Sequence, residues 1–333
     1  MTTGPAERLR ASIVIPTLNR PALLLQTLQS LETQSVPADS YEVIVGIDGS
    51  PEGTVEALSR LRPPYLLRWT VTKNRGSGAA RNAGARLASH DVLIFLDDDQ
   101  LAWTDLVAAH LDAHERYGTV LVQGDYPTAP HLPRSGTAIV YERSRQSTMD
   151  RIRRSAPKTW HIWGGNISVR RSTWTQLGGY DESFRRKQDT DFGLRIAALA
   201  IPFIFEPRAR SSHLYGCAYA AFRQQTLEEG RALVRLARKH ALPLQTFSGG
   251  ALGLRDHALI KGWRMAPAAM RVLGWLLTAG LRASDRLSLA AAQLYAARGV
   301  RRLYLLAGMA EQQQARSRVA VVIQEVQPGW RLP

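Results

Sequence analysis

Cysteine is nearly absent: of 333 residues, only Cys217 carries a thiol. An intrachain disulfide is therefore excluded, which fits a reducing compartment. No His or Asn pattern marks Cys217 as a nucleophile, and it reads as a small buried side chain. Long apolar runs are also missing. Residues 1–10 are polar, and the apolar stretch 12–16 is far too short for a signal-peptide core, so no secretion signal is expected. The nearest candidate for a membrane span, 266–281, is interrupted by Arg271. Repeats of solenoid length are absent as well. What is present is a chain with 45% hydrophobic residues. That composition buries a sizeable core, as one large α/β domain with an extension or as two small domains.

The net charge of +15 is unevenly spread. Residues 207–333 hold 19 Lys and Arg against 6 Asp and Glu, so the first 206 residues are close to neutral. A basic segment of this kind seeks an anionic partner, either a membrane surface, a lipid phosphate or nucleic acid.

The first hundred residues alternate between two periods. Residues 11–16, 41–47, 65–72 and 91–96 are short apolar runs that read as buried strands. Residues 20–33, 52–61, 77–89 and 101–117 read as helices, the first with leucines at 23, 24, 25, 28 and 31 on one face. This βαβαβαβα order predicts an α/β fold, a mostly parallel Rossmann-like sheet flanked by helices on both faces. Right-handed crossovers then set the C-terminal ends of the strands along one edge. Residues 119–207 are mixed, and the chain after Pro207 turns helical and rich in Arg, Ala and Leu.

Parallel sheets bind ligands outside those strand ends. The first strand ends in Pro16-Thr17-Leu18-Asn19, the second in Asp48-Gly49-Ser50 and the fourth in Asp97-Asp98-Asp99. Three adjacent carboxylates repel and raise one another's pKa, a penalty that a bound cation removes. Oxygen ligands suit Mg²⁺ or Mn²⁺, and such an ion completes its shell with water and substrate phosphates. The run therefore points to a diphosphate ligand. A helix N-terminus would need only one such Asp. Asp48 alone would be an ordinary turn residue. Its place at the same edge favours an acceptor for a base N–H or a ribose hydroxyl. Gly76-Ser77-Gly78 begins like a dinucleotide fingerprint, but Arg81 stands where the third glycine belongs and the motif follows the third strand.

At this point the sequence resembles the family 2 glycosyltransferases, which have the GT-A fold. The matching pieces run in order: Val14-Ile15-Pro16-Thr17-Leu18-Asn19-Arg20, Ile47-Asp48-Gly49-Ser50, Asn74-Arg75-Gly76 with Ala80-Arg81-Asn82-Ala83-Gly84, and Phe95-Leu96-Asp97-Asp98-Asp99. Gly164-Gly165-Asn166, Gly178-Gly179-Tyr180-Asp181-Glu182, Gln188-Asp189-Thr190-Asp191 and His213 follow. The resemblance covers residues 10–215. It implies a catalytic domain over 1–215, whose nucleotide-sugar part is 10–118 and whose acceptor and catalytic part is 119–215.

The resemblance also implies roles. Donor contacts fall on Pro16, Thr17, Asn19, Asp48, Arg81, Asp97 and Asp98. The metal ligands are Asp97, Asp99 and His213. Asp189 is the general base, although it also suits a helix N-cap. The acceptor side is Trp163, Gly164, Gly165, Asn166 and Asp191. Trp160 and Trp163 flank the glycine pair, where an aromatic face stacks on a sugar ring or simply packs in the core. Two departures stand out. The usual acidic pair reads Gln188-Asp189, and the usual double Asp of the second strand reads Ile47-Asp48.

The implied reaction is inverting transfer of a sugar from a nucleotide-diphosphate sugar, UDP-sugar favoured, to a hydroxyl of a glycan or lipid-linked acceptor, with Mn²⁺ or Mg²⁺ as cofactor. A sugar nucleotidyltransferase would need a Gly- and Lys/Arg-rich loop after the first strand, which Pro16-Thr17-Leu18-Asn19-Arg20 is not. A non-catalytic nucleotide-sugar-binding subunit leaves Asp189 unexplained. A nucleic-acid partner leaves the acidic run unexplained and is not expected. The region 216–333 is a basic helical extension, with Trp263, Trp275, Tyr295 and Tyr304 suited to a membrane interface. Localisation is expected to be cytoplasmic, with peripheral docking on the inner face of the plasma membrane. The competing reading is a helical subdomain with a solvated basic face.

Overall fold

The computed structural model describes residues 8–49, 53–130, 135–154, 162–248 and 251–326. Contacts divide the chain into two units. The first comprises Met1–Leu132 with Glu142–Tyr215, and the second Pro133–Tyr141 with Gly216–Pro333.

The first unit is built on strands β1 (Ala11–Thr17), β2 (Tyr41–Asp48), β3 (Leu66–Thr72), β4 (Val92–Leu96), β5 (Gln100–Ala102), β6 (Leu121–Asp125), β7 (Asn166–Arg170) and β8 (Phe203–His213). They form one eight-stranded sheet in the order β3-β2-β1-β4-β7-β6-β8-β5. β1 to β4 are mutually parallel. β7 enters antiparallel between β4 and β6, and β5 pairs antiparallel with β8. The sheet is thus α/β and mostly parallel, as its first four strands predict, and the mixed half lies where no clear period was read.

Helices α1 (Pro21–Ser30), α2 (Thr54–Ser59), α3 (Ser77–Leu87), α4 (Leu106–Tyr117), α6 (Arg171–Leu177) and α7 (Gln188–Ala198) belong to this unit. α5 (Gly136–Arg154) begins at residues grouped with the second unit. Alternate residues of each strand serve opposite faces. Ile13, Ile15, Val43, Val45 and Ile47 pack with Leu24 and Leu28 of α1 on one face. Val14, Ile44, Phe95 and Ile167 pack with Ala85 of α3 and Phe192 and Ile196 of α7 on the other. Both faces are covered, so β1 and β2 are buried at every position.

The expected helix over 101–117 starts only at Leu106. Gln100 to Ala102 are taken by β5, whose partners Ser211 to His213 lie more than a hundred residues on. The backbone of the Asp97–Asp99 run is thereby held between β4 and β5.

The second unit is helical: α8 (Tyr219–Lys239), α9 (Gln245–Ser248), α10 (Leu254–Met265), α11 (Pro267–Arg286) and α12 (Ala290–Val326). Val140, Phe222, Leu281, Leu294, Ala297 and Val300 form its core. α8 and α12 cross closely at paired glycines. A Cβ on Gly230 would lie 2.0 Å from the Leu305 carbonyl oxygen, and one on Gly308 would lie 2.0 Å from that of Leu227. Only glycine permits this backbone approach. Trp263 and Tyr304 face each other with ring centroids 6.1 Å apart, and the Trp263 indole N–H donates to the Leu303 carbonyl at 3.1 Å. Of the four aromatics read as interfacial, these two are therefore half-buried packing residues, and Trp275 and Tyr295 are exposed. Among the described residues, no helix is long and apolar enough to cross a membrane.

Candidate active site

Strand register assembles the site. β1 and β4 pair with Val14 opposite Phe95. Continuing that register sets Thr17 beside Asp98, and the Thr17 hydroxyl donates to Asp98 Oδ2 at 2.7 Å. Order reverses here, with β2 on one side of β1 and β4 on the other. That reversal is where open α/β sheets leave a crevice for ligands. β4 and β7 end with Leu96 opposite Asn166, and beyond them the Asp97 N–H donates to the Gly165 carbonyl at 3.0 Å. β5 and β8 set Gln100 opposite His213. His213 Nε2 consequently lies 3.1 Å from Asp99 Oδ1. Four segments, far apart in sequence, thus meet around the Asp97–Asp99 run.

The three carboxylates have different surroundings. Asp98 is fully buried, and burial pushes its carboxyl up to about 7 although Arg20 opposes the shift. Burial acts on Asp99 in the same sense, but His213 and Arg20 outweigh it and hold Asp99 below the usual carboxylate range. The Arg20 guanidinium spans the two, donating to Asp98 Oδ1 and, at 2.9 Å, to Asp99 Oδ2. Asp97 takes Arg81, whose Nη2 donates to its Oδ1 at 2.5 Å. Arg81 is buried, lies 5.7 Å over the Tyr180 ring, and has two guanidinium nitrogens, Nε and Nη1, with no hydrogen-bond partner. Buried donors left in this state are costly unless a ligand accepts from them.

The glycine pair joins this acidic edge to Asp189. Gly165 contacts Asp97 through its carbonyl, and the Gly164 N–H donates to Asp189 Oδ2 at 3.1 Å. A Cβ on Gly165 would stand 2.6 Å from Gln100 Nε2 and 2.8 Å from Asp97 Oδ2. The absence of side chains therefore leaves the Asp97 carboxylate its present position. Asp189 is the second residue of α7, so the N-cap position falls on Lys187 rather than on Asp189. Its Oδ1 accepts from the Thr190 N–H at 2.7 Å, which fixes the carboxylate, and the residue is half-buried with Oδ2 turned to Gly164.

Other residues read as site members stand differently. Asp48 accepts the N–H of Arg75 at 2.7 Å, the N–H of Gly76 at 2.8 Å and the Thr72 hydroxyl at 3.0 Å. It therefore holds the turn that leads into α3. Pro16 is buried in β1, and Asn19 is exposed with φ +51°. Asn166 is fully buried: its amide donates to the Ala209 carbonyl at 2.9 Å, and its Oδ1 accepts from His110 Nε2 at 2.8 Å. Asp191 is fully buried and bonded to Arg195 Nε at 2.9 Å. Neither side chain is brought to the open edge. The Trp163 N–H donates to Gln123 Oε1 at 2.9 Å, and its ring lies 6.3 Å from that of Tyr126. Trp160 lies outside the described residues. Arg20, which meets the acidic run, has no role in the sequence reading. The position of Arg20 directly after the first strand end was the available signal.

The donor set for a cation is limited. Among the described residues, no group of three or more His, Cys, Asp or Glu side chains is close enough to hold an ion. What the geometry offers is Asp99 and His213. Asp99 Oδ1 is buried and accepts no well-aligned hydrogen bond. One carboxylate and one imidazole, with substrate phosphates completing the shell, suit a cation of the Mn²⁺ class.

This architecture, a curled and mostly parallel sheet with acidic residues at the end of its fourth strand, is the GT-A fold of glycosyltransferases. Residues 12–177 match the family model for Glycosyl transferase family 2, and they form a domain of that family. A validoxylamine A glucosyltransferase of Streptomyces hygroscopicus is 31% identical over 220 residues, covering 57% of this chain and 52% of that protein. A Bacillus subtilis protein named as the uncharacterized glycosyltransferase YfnE is 39% identical over 117 residues, 35% of this chain and 30% of its own length. The chain thus spans about half the length of the Streptomyces relative. Among solved structures, the mannosyltransferase PcManGT from Pyrobaculum calidifontis, in complex with GDP-Man and Mn²⁺, superimposes with a TM-score of 0.63 at 20% identity, covering 92% of this chain and 88% of that one.

Proposed function

We propose that the first unit is an inverting glycosyltransferase that moves a sugar from a nucleoside-diphosphate sugar to a hydroxyl acceptor. The observation that carries this reading is the Gly164-Gly165 segment. Its Gly165 carbonyl holds the Asp97 N–H and its Gly164 N–H holds the Asp189 carboxylate. The leaving diphosphate and the acceptor hydroxyl are thereby assigned to neighbouring positions.

The donor binds along the strand ends, with Asp48, Thr17, Asn19 and Pro16 around the nucleoside and Asp97, Asp98 and Arg81 toward the ribose and diphosphate. Arg81 Nη1 and Nε supply donors for phosphate oxygens, and their burial strengthens such bonds. Asp99 and His213 would hold a divalent cation, Mn²⁺ or Mg²⁺, with Asp97 the third ligand named by the resemblance. When bound, that cation offsets charge on the leaving diphosphate.

Asp189 Oδ2 removes the acceptor proton as the acceptor oxygen bonds to the anomeric carbon and the bond from that carbon to phosphate oxygen breaks. Attack opposite the leaving group inverts the centre. The anomeric carbon gains oxocarbenium character on the way, as in glycoside hydrolysis. Trp163 and the glycine pair border the acceptor. UDP is the favoured nucleotide, and the acceptor is a glycan or a lipid-linked sugar. The second unit seats the protein on the inner, anionic face of a cell membrane, consistent with its basic charge.

Thermal stabilisation and hydrolysis across a panel of UDP-, GDP- and dTDP-sugars, with and without Mn²⁺, test this function. The expected result is Mn²⁺-dependent stabilisation by one donor, lost in Asp99→Ala. No response to any nucleotide sugar with Mn²⁺ or Mg²⁺ would sink the reading.

A further inference from the structure

The second unit leaves one helix face uncovered. On α11, Gly274, Thr278, Leu281 and Ser284 are buried against its own unit. The opposite face carries Val272 (60% exposed), Trp275 (62%) and Leu276 (54%), with Met265 (73%) just before the helix. Ala268, Ala269 and Ala283 are exposed on the same side. At 100° per residue the positions on α11 fall in a single stripe of about 22 Å, from residue 268 to 283. Leu287 and Leu289 extend the exposed apolar surface past the helix end. A patch of this length is larger than scattered surface apolar residues need to be.

Charge selects its occupant. α10 and α11 together hold Arg255, Lys261, Arg264, Arg271, Arg282 and Arg286 against two acids, Asp256 and Asp285. Both acids are already engaged, Asp256 by Arg302 and Asp285 by the Tyr219 hydroxyl and the Gly136 N–H. The rim of the stripe is therefore net cationic. Beside it, a cleft of about 260 Å³ between α8, α11 and α12 is lined by Arg223, Gln224, Arg271, Trp275 and Tyr304. Arg223 stacks 5.8 Å over the Tyr304 ring, and among the described residues neither Arg223 nor Arg271 forms an ion pair. Arg271 and Trp275 belong to both cleft and stripe. An apolar band, a cationic rim and a headgroup-sized basic cleft are what an anionic phospholipid surface engages. A protein partner would be expected to present acidic residues around an apolar groove.

We propose that α11 is the membrane-docking element of this protein. It lies in the interface of an anionic bilayer, with Val272, Trp275 and Leu276 immersed and a lipid phosphate taken between Arg223 and Arg271. The exposed Trp275, rather than the packed Trp263 or Tyr304, is the interfacial aromatic. Docking specifies the membrane partner named above and does not depend on the transfer reaction.

Flotation of the full chain with vesicles of phosphatidylglycerol and phosphatidylcholine in equal parts, and with phosphatidylcholine alone, tests this directly. Binding is expected to the anionic vesicles only, weakened by added salt because surface charge is screened. Trp275→Ala combined with Leu276→Ser is expected to reduce binding by about tenfold or more. Arg271→Glu combined with Arg223→Glu, which leaves the apolar stripe intact, is expected to do the same. Tyr117→Ser, an exposed aromatic of the first unit, should leave binding unchanged. Donor-dependent thermal stabilisation measured without vesicles reports on the transfer site separately. Failure to bind anionic vesicles at low salt overturns the proposal, as does binding indifferent to both paired variants. Self-association that is abolished by the Trp275 variant, without vesicle binding, would assign the face to a second copy of the chain instead.

Discussion

Asn82 and Tyr180 hold each other through a two-way clasp: the Tyr180 N–H donates to Asn82 Oδ1 at 2.8 Å, and Asn82 Nδ2 donates to the Tyr180 carbonyl at 2.8 Å. Gly179 makes the approach feasible, since a Cβ there would lie 2.5 Å from Asn82 Oδ1. The clasp fixes α3 against the 178–182 segment, and α3 carries Arg81 at the preceding position. Asn82→Ala strips both partners from a buried peptide, at a cost of about 2–4 kcal/mol. Urea unfolding of the variant measures it. A loss under about 0.5 kcal/mol, the size of an ordinary surface substitution, would show that the clasp is not a structural constraint.

A second prediction concerns acid. His110 and His114 are buried, and burial lowers their pKa to about 4 and about 3. The Asn166 amide nitrogen donates to the Ala209 carbonyl, so its oxygen accepts from His110 Nε2–H. The Ser168 hydroxyl lies 2.9 Å from both His110 Nδ1 and His114 Nε2, and His114 Nδ1 faces the Gly118 carbonyl at 3.3 Å. An unfolded histidine titrates near 6.5. Their contribution is therefore fully present above about pH 6.5, and it falls as pH drops toward 4, where the unfolded chain binds protons the fold rejects. The slope is about 1.4 kcal/mol per pH unit for each histidine. Urea midpoints between pH 7 and pH 4 should fall less steeply in His110→Gln/His114→Gln. An unchanged slope would assign the acid sensitivity to other groups.

Gly165 yields a third. An added methyl would meet the ends of Gln100 and Asp97, and the Asp97 carboxylate moves only by straining its bond from Arg81. Gly165→Ala should destabilise the fold by about 1–3 kcal/mol and abolish stabilisation by the donor, because Asp97 is pushed off Arg81. Unaltered donor response in a folded Gly165→Ala protein would remove Asp97 from the donor site.

The alternation of β1 to β4 with helices was readable because burial on both faces gives continuous apolar runs, and Asp48 and the Asp97–Asp99 run could be placed at one edge by topology alone. β5 could not be read, because three residues with a polar start become a strand only through β8. His213 reaches Asp99 by the same pairing, so its place could be inferred from resemblance but not from any local period. Asn166 and Asp191 show the opposite limit. Both sit in motifs beside the site, yet His110 and Arg195 satisfy them in the core. A polar residue in a motif carries no mark of whether its partner will be substrate or protein. Arg20 went unremarked for the same reason, since its two carboxylates lie about eighty positions away.

The sharpest functional prediction falls on Asp189. Its Oδ1 accepts the Thr190 N–H and its Oδ2 the Gly164 N–H, so Asp189→Asn keeps the size and one of the two acceptors while removing basicity. General-base catalysis is worth about 10²–10⁴-fold, and transfer to the acceptor should fall by that factor. Donor affinity should not change, because the donor is assigned to Asp97, Arg81 and the β1 and β2 ends. Measured together, single-turnover transfer and donor-dependent thermal shift separate the two. A large loss of turnover with intact donor stabilisation supports Asp189 as the base. A loss of both would mean that Asp189 acts by holding Gly164 in place. Unchanged turnover would move the base to another residue and with it the acceptor side of the site.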